Sequence, residues 1–329
     1  MLLRKSTIAF PGLGIGEFEV DSVAFSIGSV DIAWYALIIV TGIIAAVAYI
    51  IYRSGHIGVR SEDIIDAAIF VVPAGIIGAR LYYVLTSLDN YDTFMDVINI
   101  RNGGIAIYGA IIGGALAVIG WCKVKKINFF AIADCISPGL ILAQSIGRWG
   151  NFMNGEAFGS ATDIFCRMQL KNGNTLSIFQ TFDAVCVHPT FLYESLWNIL
   201  GFALINIFYK KKQYDGQVFL AVFGWYGLGR MFIEGLRTDS LWIGPFRISQ
   251  VLAGLIFISC LAILIYLAVK PPKKEFFKYT SKYEKAALLK TAKKAQSQEA
   301  SENAPANSKE EVTDTAVSIE EVQNENNKE

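Results

Sequence analysis

Charge is what this sequence has least of. Of 329 residues only 18% are Asp, Glu, Lys or Arg, against 53% hydrophobic, and mean hydropathy is +0.41. A soluble globular chain carries about a quarter charged residues, so that class is excluded. Net charge is zero, and the total gives no reason to expect a nucleic-acid partner. No cleavable signal is expected in the stretch MLLRKSTIAFPGLGIGEFEVDS. It has no apolar h-region and is broken by Pro11, Gly12, Gly14 and Gly16. The first long apolar run, near Ile32 to Tyr52, is expected to serve as an uncleaved anchor. There is no clear internal repeat. GLGIG at Gly12–Gly16 lacks the strand–helix context and the lysine of a phosphate loop.

What is present in quantity is long apolar runs. Seven candidate spans fall near 31–52, 64–86, 104–122, 129–147, 190–209, 217–235 and 247–269, each near the roughly 20 residues a bilayer helix needs. The expected fold is an all-α integral membrane protein of seven transmembrane helices. Loop charge sets the direction. Arg53 and Arg60, then Lys123, Lys125 and Lys126, then Lys210, Lys211 and Lys212, then Lys270, Lys273 and Lys274 all fall on one side of the alternation. That side is read as cytoplasmic, with the N-terminus outside, the C-terminus cytoplasmic and a small extracytoplasmic segment between the fourth and fifth spans. Residues 1–270 form the membrane domain. Residues 271–329 turn Lys-rich and then acidic, cannot bury a core, and are expected to be a disordered tail. SKYEKAALLKTAKKA within it could form an amphipathic surface helix. Cys122, Cys135 and Cys260 are expected to pack as small hydrophobes. Cys166 and Cys186 share one polar segment and could pair if it faces an oxidising space.

The polar residues of the spans gather at the outer ends. The outward-running second, fourth and sixth spans carry Arg80 in GARLYYVL, Arg148 in GRWGN and Arg230 in GLGRMFIEGLR. The inward-running third and fifth begin with Tyr108 and with the His188, Tyr193, Glu194 set of HPTFLYE; Trp34 and Tyr35 begin the first. Any one such arginine could simply snorkel to the headgroups. Three on three outward helices suit a phosphate-bearing lipid, because guanidinium binds phosphate bidentately. Arg230 and Glu234, four apart, share a helix face. Gly109, Gly113 and Gly114 offer a small-residue packing face. Pro73 and Pro138 sit early in the second and fourth spans and are expected to kink them. Asp66 and Asp134, near inner ends, are explained by helix N-terminal placement.

GRWGNFMNGEAFG, residues 147–159, reads as a polar loop where the fourth span leaves the bilayer. It resembles the signature of the prolipoprotein diacylglyceryl transferase family. HPTFLYE, GARLYYVL, GGIAIYGAIIGG and GRMFIEGLR resemble further blocks of that family in order, over roughly residues 30–270. The resemblance implies transfer of a diacylglyceryl group from phosphatidylglycerol to the lipobox cysteine of a prolipoprotein, releasing glycerol phosphate. It implies the bacterial plasma membrane, with the active site toward the extracytoplasmic leaflet, and no metal or organic cofactor. By the same resemblance Arg148, Asn151, Asn154, Glu156 and Gly159 fill the signature, Tyr35 matches an important tyrosine, Arg230 and Glu234 match a functional pair, and Arg80 is expected to touch lipid. One departure is Tyr108, where the family often has a histidine suited to act as base; only His56 and His188 exist here.

The reaction is alkyl transfer to sulfur, and a thiol of pKa about 8.5 must be made a thiolate. Arg148 and Arg230 are expected to meet the phosphate charge, with Arg80 as a third candidate. Asn151 and Asn154 would orient glycerol oxygens or backbone, while Glu156 and Glu234 hold arginines in place. The proton acceptor is Tyr108 or Tyr35, with His188 in reserve or else holding loop backbone. Segment 160–187 is the expected peptide platform, with a small hairpin around FCRMQL and Gly173. The rival reading is a polytopic transporter of a small anionic solute, which wants ionisable groups at the midplane; the mid-span positions are almost wholly apolar. A seven-span receptor has only span count behind it.

Overall fold

The computed structural model describes residues 5–272, apart from 29, 89, 90, 92, 99–102, 182, 239 and 241. The tail from residue 273, with its amphipathic stretch, lies outside them. The elements are β1 (Lys5–Phe10), β2 (Ile15–Asp21), β3 (Val23–Ile27), β4 (Val30–Ala33), α1 (Trp34–Ser54), α2 (Ser61–Leu85), α3 (Phe94–Ile98), α4 (Ile107–Lys125), α5 (Phe129–Asn154), β5 (Met168–Lys171), α6 (Gly173–Phe179), β6 (Val185–Val187), α7 (Thr190–Phe208), α8 (Gln217–Glu234), β7 (Trp242–Ile243), β8 (Phe246–Arg247) and α9 (Ile248–Val269).

Among the described residues six helices are long and apolar enough to cross a membrane: α1, α2, α4, α5, α7 and α9. α8, with 18 residues, is of similar length but falls outside that class. Gln217, Arg230 and Glu234 dilute its apolar content. The helices alternate in direction, as their contacts require. Gly42 meets Ala143 while Gly139 meets Ala46, so α1 and α5 are antiparallel. A Cβ on Gly109 would lie 2.1 Å from the Gly78 carbonyl, and one on Gly113 2.5 Å from that of Ala74. α2 and α4 therefore touch backbone to backbone along the expected small-residue face, although Gly114 faces open space. α2 and α5 run through Pro73 and Pro138 without ending.

The all-α expectation needs correction. A four-stranded antiparallel sheet of order β2-β1-β5-β6 covers one end of the bundle, with two further hairpins, β3-β4 and β7-β8. Its own core is Ile8, Phe10, Val20, Phe158, Met168, Leu170, Val187 and Phe191. Pro11, Gly12 and Gly14, read as breakers, form the turn joining β1 to β2, with Gly14 left-handed at φ 71°, while Gly16 lies within β2. The hairpin expected in 160–187 is the β5–β6 pair, but Gly173 opens α6 rather than a turn. It is capped by Asn172, whose side chain accepts from the Thr175 amide. The three cysteines expected to pack, Cys122, Cys135 and Cys260, are buried, and Cys166 and Cys186 are free thiols.

At the opposite end Asp134, fully buried on α5, accepts from the Phe219 and Gly216 amides at 2.8 and 2.9 Å and from Lys212 Nζ at 3.1 Å. It therefore caps the start of α8, whose own N-cap is Gly216, and not its own helix as its position suggests. Arg53, also buried, donates to Tyr49 and Asn206 and stacks on Tyr209 at 4.1 Å.

Candidate active site

At the sheet end, α5 does not stop at Gly147. It runs on to Asn154 and closes on left-handed Gly155. The stretch read as an exit loop is mostly its last two turns, because Gly147 and Gly150 serve as contact points for α1. A Cβ on Gly150 would lie 2.7 Å from the Tyr35 ring. Helical geometry puts Arg148 and Asn151 on one face, three residues apart. Arg148 Nη1 donates to Asn151 Oδ1 at 3.2 Å. Past the cap, Glu156 Oε1 accepts from Asn151 at 3.0 Å and from Asn154 at 3.2 Å. The signature is thus one hydrogen-bonded chain, Arg148–Asn151–Glu156–Asn154. Glu156 is held by two amides, not by an arginine, among the described residues. Tyr35 lies within electrostatic reach of both Arg148 and Glu156.

The centre of the cluster is Glu194 on α7, 2% exposed. Its Oε1 takes Arg148 Nη2 at 2.5 Å and its Oε2 takes Arg230 Nη1 at 3.0 Å. Arg230 Nη2 also meets Glu234 Oε2 at 2.6 Å, and Arg237 stands 4.0 Å from the same oxygen. Arg247 donates to the Glu234 backbone carbonyl. Tyr226 on α8 lies within electrostatic reach of Glu194, Arg230 and Arg148. Two buried carboxylates hold two guanidinium groups that are still 20% and 16% exposed. Such a pair offers an anion fixed, directional donors in a low-dielectric setting.

The other expected site residues are placed as follows. Arg80 is spent on backbone: it donates to the carbonyls of Val97 and Gly103 at 2.8 Å and of Asp96 and Gly104 at 2.7 Å, and stacks on Tyr91 at 5.2 Å. It ties down the connection between α2 and α4. Tyr108 is half-buried with its ring 6.1 Å from that of Tyr82. His188 Nδ1 lies 3.3 Å from the Tyr193 hydroxyl, which is 3.5 Å from Cys166 Sγ. Burial pulls the His188 pKa down from the ordinary imidazole value, favouring the neutral ring. Gly159 is a close-packing point between the α7 entry and the segment after α8. A Cβ there would lie 2.7 Å from His188 Cβ and 2.9 Å from the Leu236 carbonyl. Its amide donates to the His188 carbonyl, and it bridges to Arg237.

In the sequence Glu194 stands in HPTFLYE without an assigned role, and nothing there singles out Tyr226. Glu194 is 46 and 36 residues from its partners, so no local spacing reveals the bridge. The available signal was its depth: a carboxylate inside a span needs a cation.

The helices and the buried cluster define a polytopic membrane protein with a cluster of paired arginines and carboxylates at one end of its bundle. The chain belongs to the prolipoprotein diacylglyceryl transferase family, whose model matches residues 22–266. It is 43% identical over 263 residues to the phosphatidylglycerol–prolipoprotein diacylglyceryl transferase of Listeria welshimeri, covering 79% of this chain and 95% of the relative. It is 41% identical over 251 residues to that of Clostridioides difficile (76% and 96%) and 40% identical over 263 to that of Enterococcus faecalis (78% and 94%).

Proposed function

We propose that this chain transfers the diacylglyceryl group of phosphatidylglycerol to the thiol of a prolipoprotein's lipobox cysteine, at the outer leaflet of a bacterial cell membrane. The observation that carries it is Glu194 bridging Arg148 and Arg230. The sulfur–carbon bond forms as the carbon–oxygen bond to phosphate breaks, and the electron pair leaves on the phosphate of glycerol phosphate. Arg148 and Arg230 meet that charge where it develops. Asn151 and Asn154 orient Glu156, the signature carboxylate left untied to a guanidinium among the described residues. Glu156 takes the thiol proton with Tyr35 as the relay, since Tyr35 is the tyrosine packed on the signature helix. Tyr108 and His188 line other parts of the sheet end. Arg80, Glu234 and Gly159 support the site through the backbone and pairs described above. No metal or organic cofactor takes part in this scheme.

The chain is read as seven-spanning, α8 included, with N-terminus outside and C-terminus cytoplasmic, on the strength of its Lys-rich loops. Purified protein given phosphatidylglycerol and a lipobox peptide should yield thioether-linked peptide and glycerol phosphate. Tyr35→Phe should lower that rate about 100-fold, and Tyr108→Phe less. Failure to form thioether, with passage of an anionic solute in proteoliposomes instead, would make the chain a transporter. An unaffected Tyr35→Phe rate would return the relay to Tyr108 or His188.

A further inference from the structure

Just below the Glu194–Arg230 contact, α7 and α8 exchange tryptophans. The Trp197 and Trp225 rings stack with centroids 4.2 Å apart and planes 14° from parallel. Trp197 Nε1 donates to the Trp225 carbonyl at 2.9 Å, and Trp225 Nε1 donates to the Trp197 carbonyl at 2.9 Å. Each indole lies on a glycine of the opposite helix. A Cβ on Gly201 would sit 2.2 Å from Trp225 Nε1, and one on Gly229 2.2 Å from Trp197 Nε1.

The two bonds fix register. Sliding α8 by one residue, about 1.5 Å, misaligns both donors and moves each glycine out from under its ring. The two glycines fix separation, because any side chain there forces the helices apart. Arg230 follows Gly229 directly, and Glu194 lies three residues before Trp197, so on antiparallel helices both site residues fall toward the same end, about one turn from the clasp. Other contacts between helices near the site, such as Gly227 of α8 against Ala253 and Phe257 of α9, do not join the two helices that bear this ion pair.

We infer that Trp197 and Trp225, seated on Gly229 and Gly201, are positioning residues that hold α7 and α8 at the spacing where Glu194 bridges both arginines. The inference rests on the reading of Glu194 and Arg230 as the phosphate-binding centre. Binding of lipid headgroup tolerates a small shift of one cation, whereas stabilising charge on the leaving oxygen does not. The clasp therefore acts on kcat more than on KM.

The test compares two cavity-less glycines on one helix. Gly229→Ala should lower kcat about 100-fold, the penalty of misplacement by about 1 Å, with KM for phosphatidylglycerol changed less than about threefold. Gly227→Ala, whose Cβ would come 2.8 Å from the Ala253 carbonyl, should lower the thermal midpoint in detergent comparably and kcat by less than about threefold. Trp197→Phe, which keeps a ring on Gly229 and loses one bond, should be milder, about tenfold in kcat. Trp197→Ala/Gly229→Ala should be no slower than Trp197→Ala alone, since the added methyl then meets no ring. If Gly229→Ala and Gly227→Ala slow kcat equally, or Gly229→Ala costs stability alone, the clasp is ordinary packing and the inference falls. If Arg230→Lys and Glu194→Gln leave kcat unchanged, the site reading itself fails, whatever the glycines do.

Discussion

At the scale of single residues, the site is held together by a carboxylate that never touches a signature residue in sequence. Glu194 neutralises Arg148 and Arg230 from a third helix, and without it two guanidinium groups would face each other in a poorly solvated space. Glu194→Gln keeps the shape and removes the charge. It should cost about 3 kcal/mol of stability, as loss of one partner of a buried pair does. Turnover of the variant that still folds should drop about 100-fold or more, because both arginines lose their fixed aim. Thermal unfolding and steady-state rates on the same preparation separate the two effects, and a variant with normal turnover would remove Glu194 from the machinery. Arg148, Asn151, Asn154, Glu156, Arg230 and Glu234 were all legible as candidates, since their identities and order carry the family's pattern. Their partners were not. Arg80 looked equivalent to Arg148 and Arg230 by depth and direction, yet four backbone carbonyls take its donors. A linear sequence gives the depth of a side chain in a span but not which way the next loop folds back over it.

At the scale of elements, hydropathy located the long helices because a bilayer-length apolar run has few other uses. It set the end of α5 seven residues short, since Arg148, Asn151 and Asn154 look like solvent-facing turn residues when their partners on other helices are unknown. The N-terminal strands were missed for a related reason. β1 buries Ile8 and Phe10 against strands more than 150 residues away, and that non-local sheet core leaves little trace beside Pro11 and its glycines. α8 shows the same dependence at its start. Having glycine at its N-cap, it borrows Asp134 from α5 for the Gly216 and Phe219 amides. Asp134→Ala strips that cap and leaves Lys212 with one fewer carboxylate, so unfolding should become easier by about 3 kcal/mol. Asp134→Asn should lose less, since its amide oxygen still accepts one of the two N–H groups. Because α8 also carries Arg230 at its far end, hydrogen exchange along α8 is the sensitive measurement. Unchanged protection in both variants would mean the helix is capped by something else.

At the scale of the whole molecule, the arrangement makes sense only with a direction. The sheet, the two-arginine cluster and the starts of α1, α4, α7 and α9 share one end, while Arg53, Lys123, Lys125 and Lys212 share the other. In the orientation proposed from the positive-inside rule, the cluster would stand where an extracytoplasmic thiol and an outer-leaflet phospholipid can both reach it. Single cysteines test this without relying on activity. In a background with the five native cysteines replaced, Ser26→Cys, exposed in the β3–β4 hairpin, should react with a membrane-impermeant maleimide in intact cells. Lys123→Cys, exposed at the opposite end, should react only after permeabilisation. The reversed pattern would turn the molecule over and leave the arginines facing the cytoplasm, out of reach of a translocated lipoprotein precursor. Labelling of both sites in intact cells would mean that α1, α2 and α4 do not alternate across the bilayer. Because α1 packs along α5 and α2 along α4 through backbone-close contacts, that outcome would also undo the placement of Tyr35 beside the signature helix.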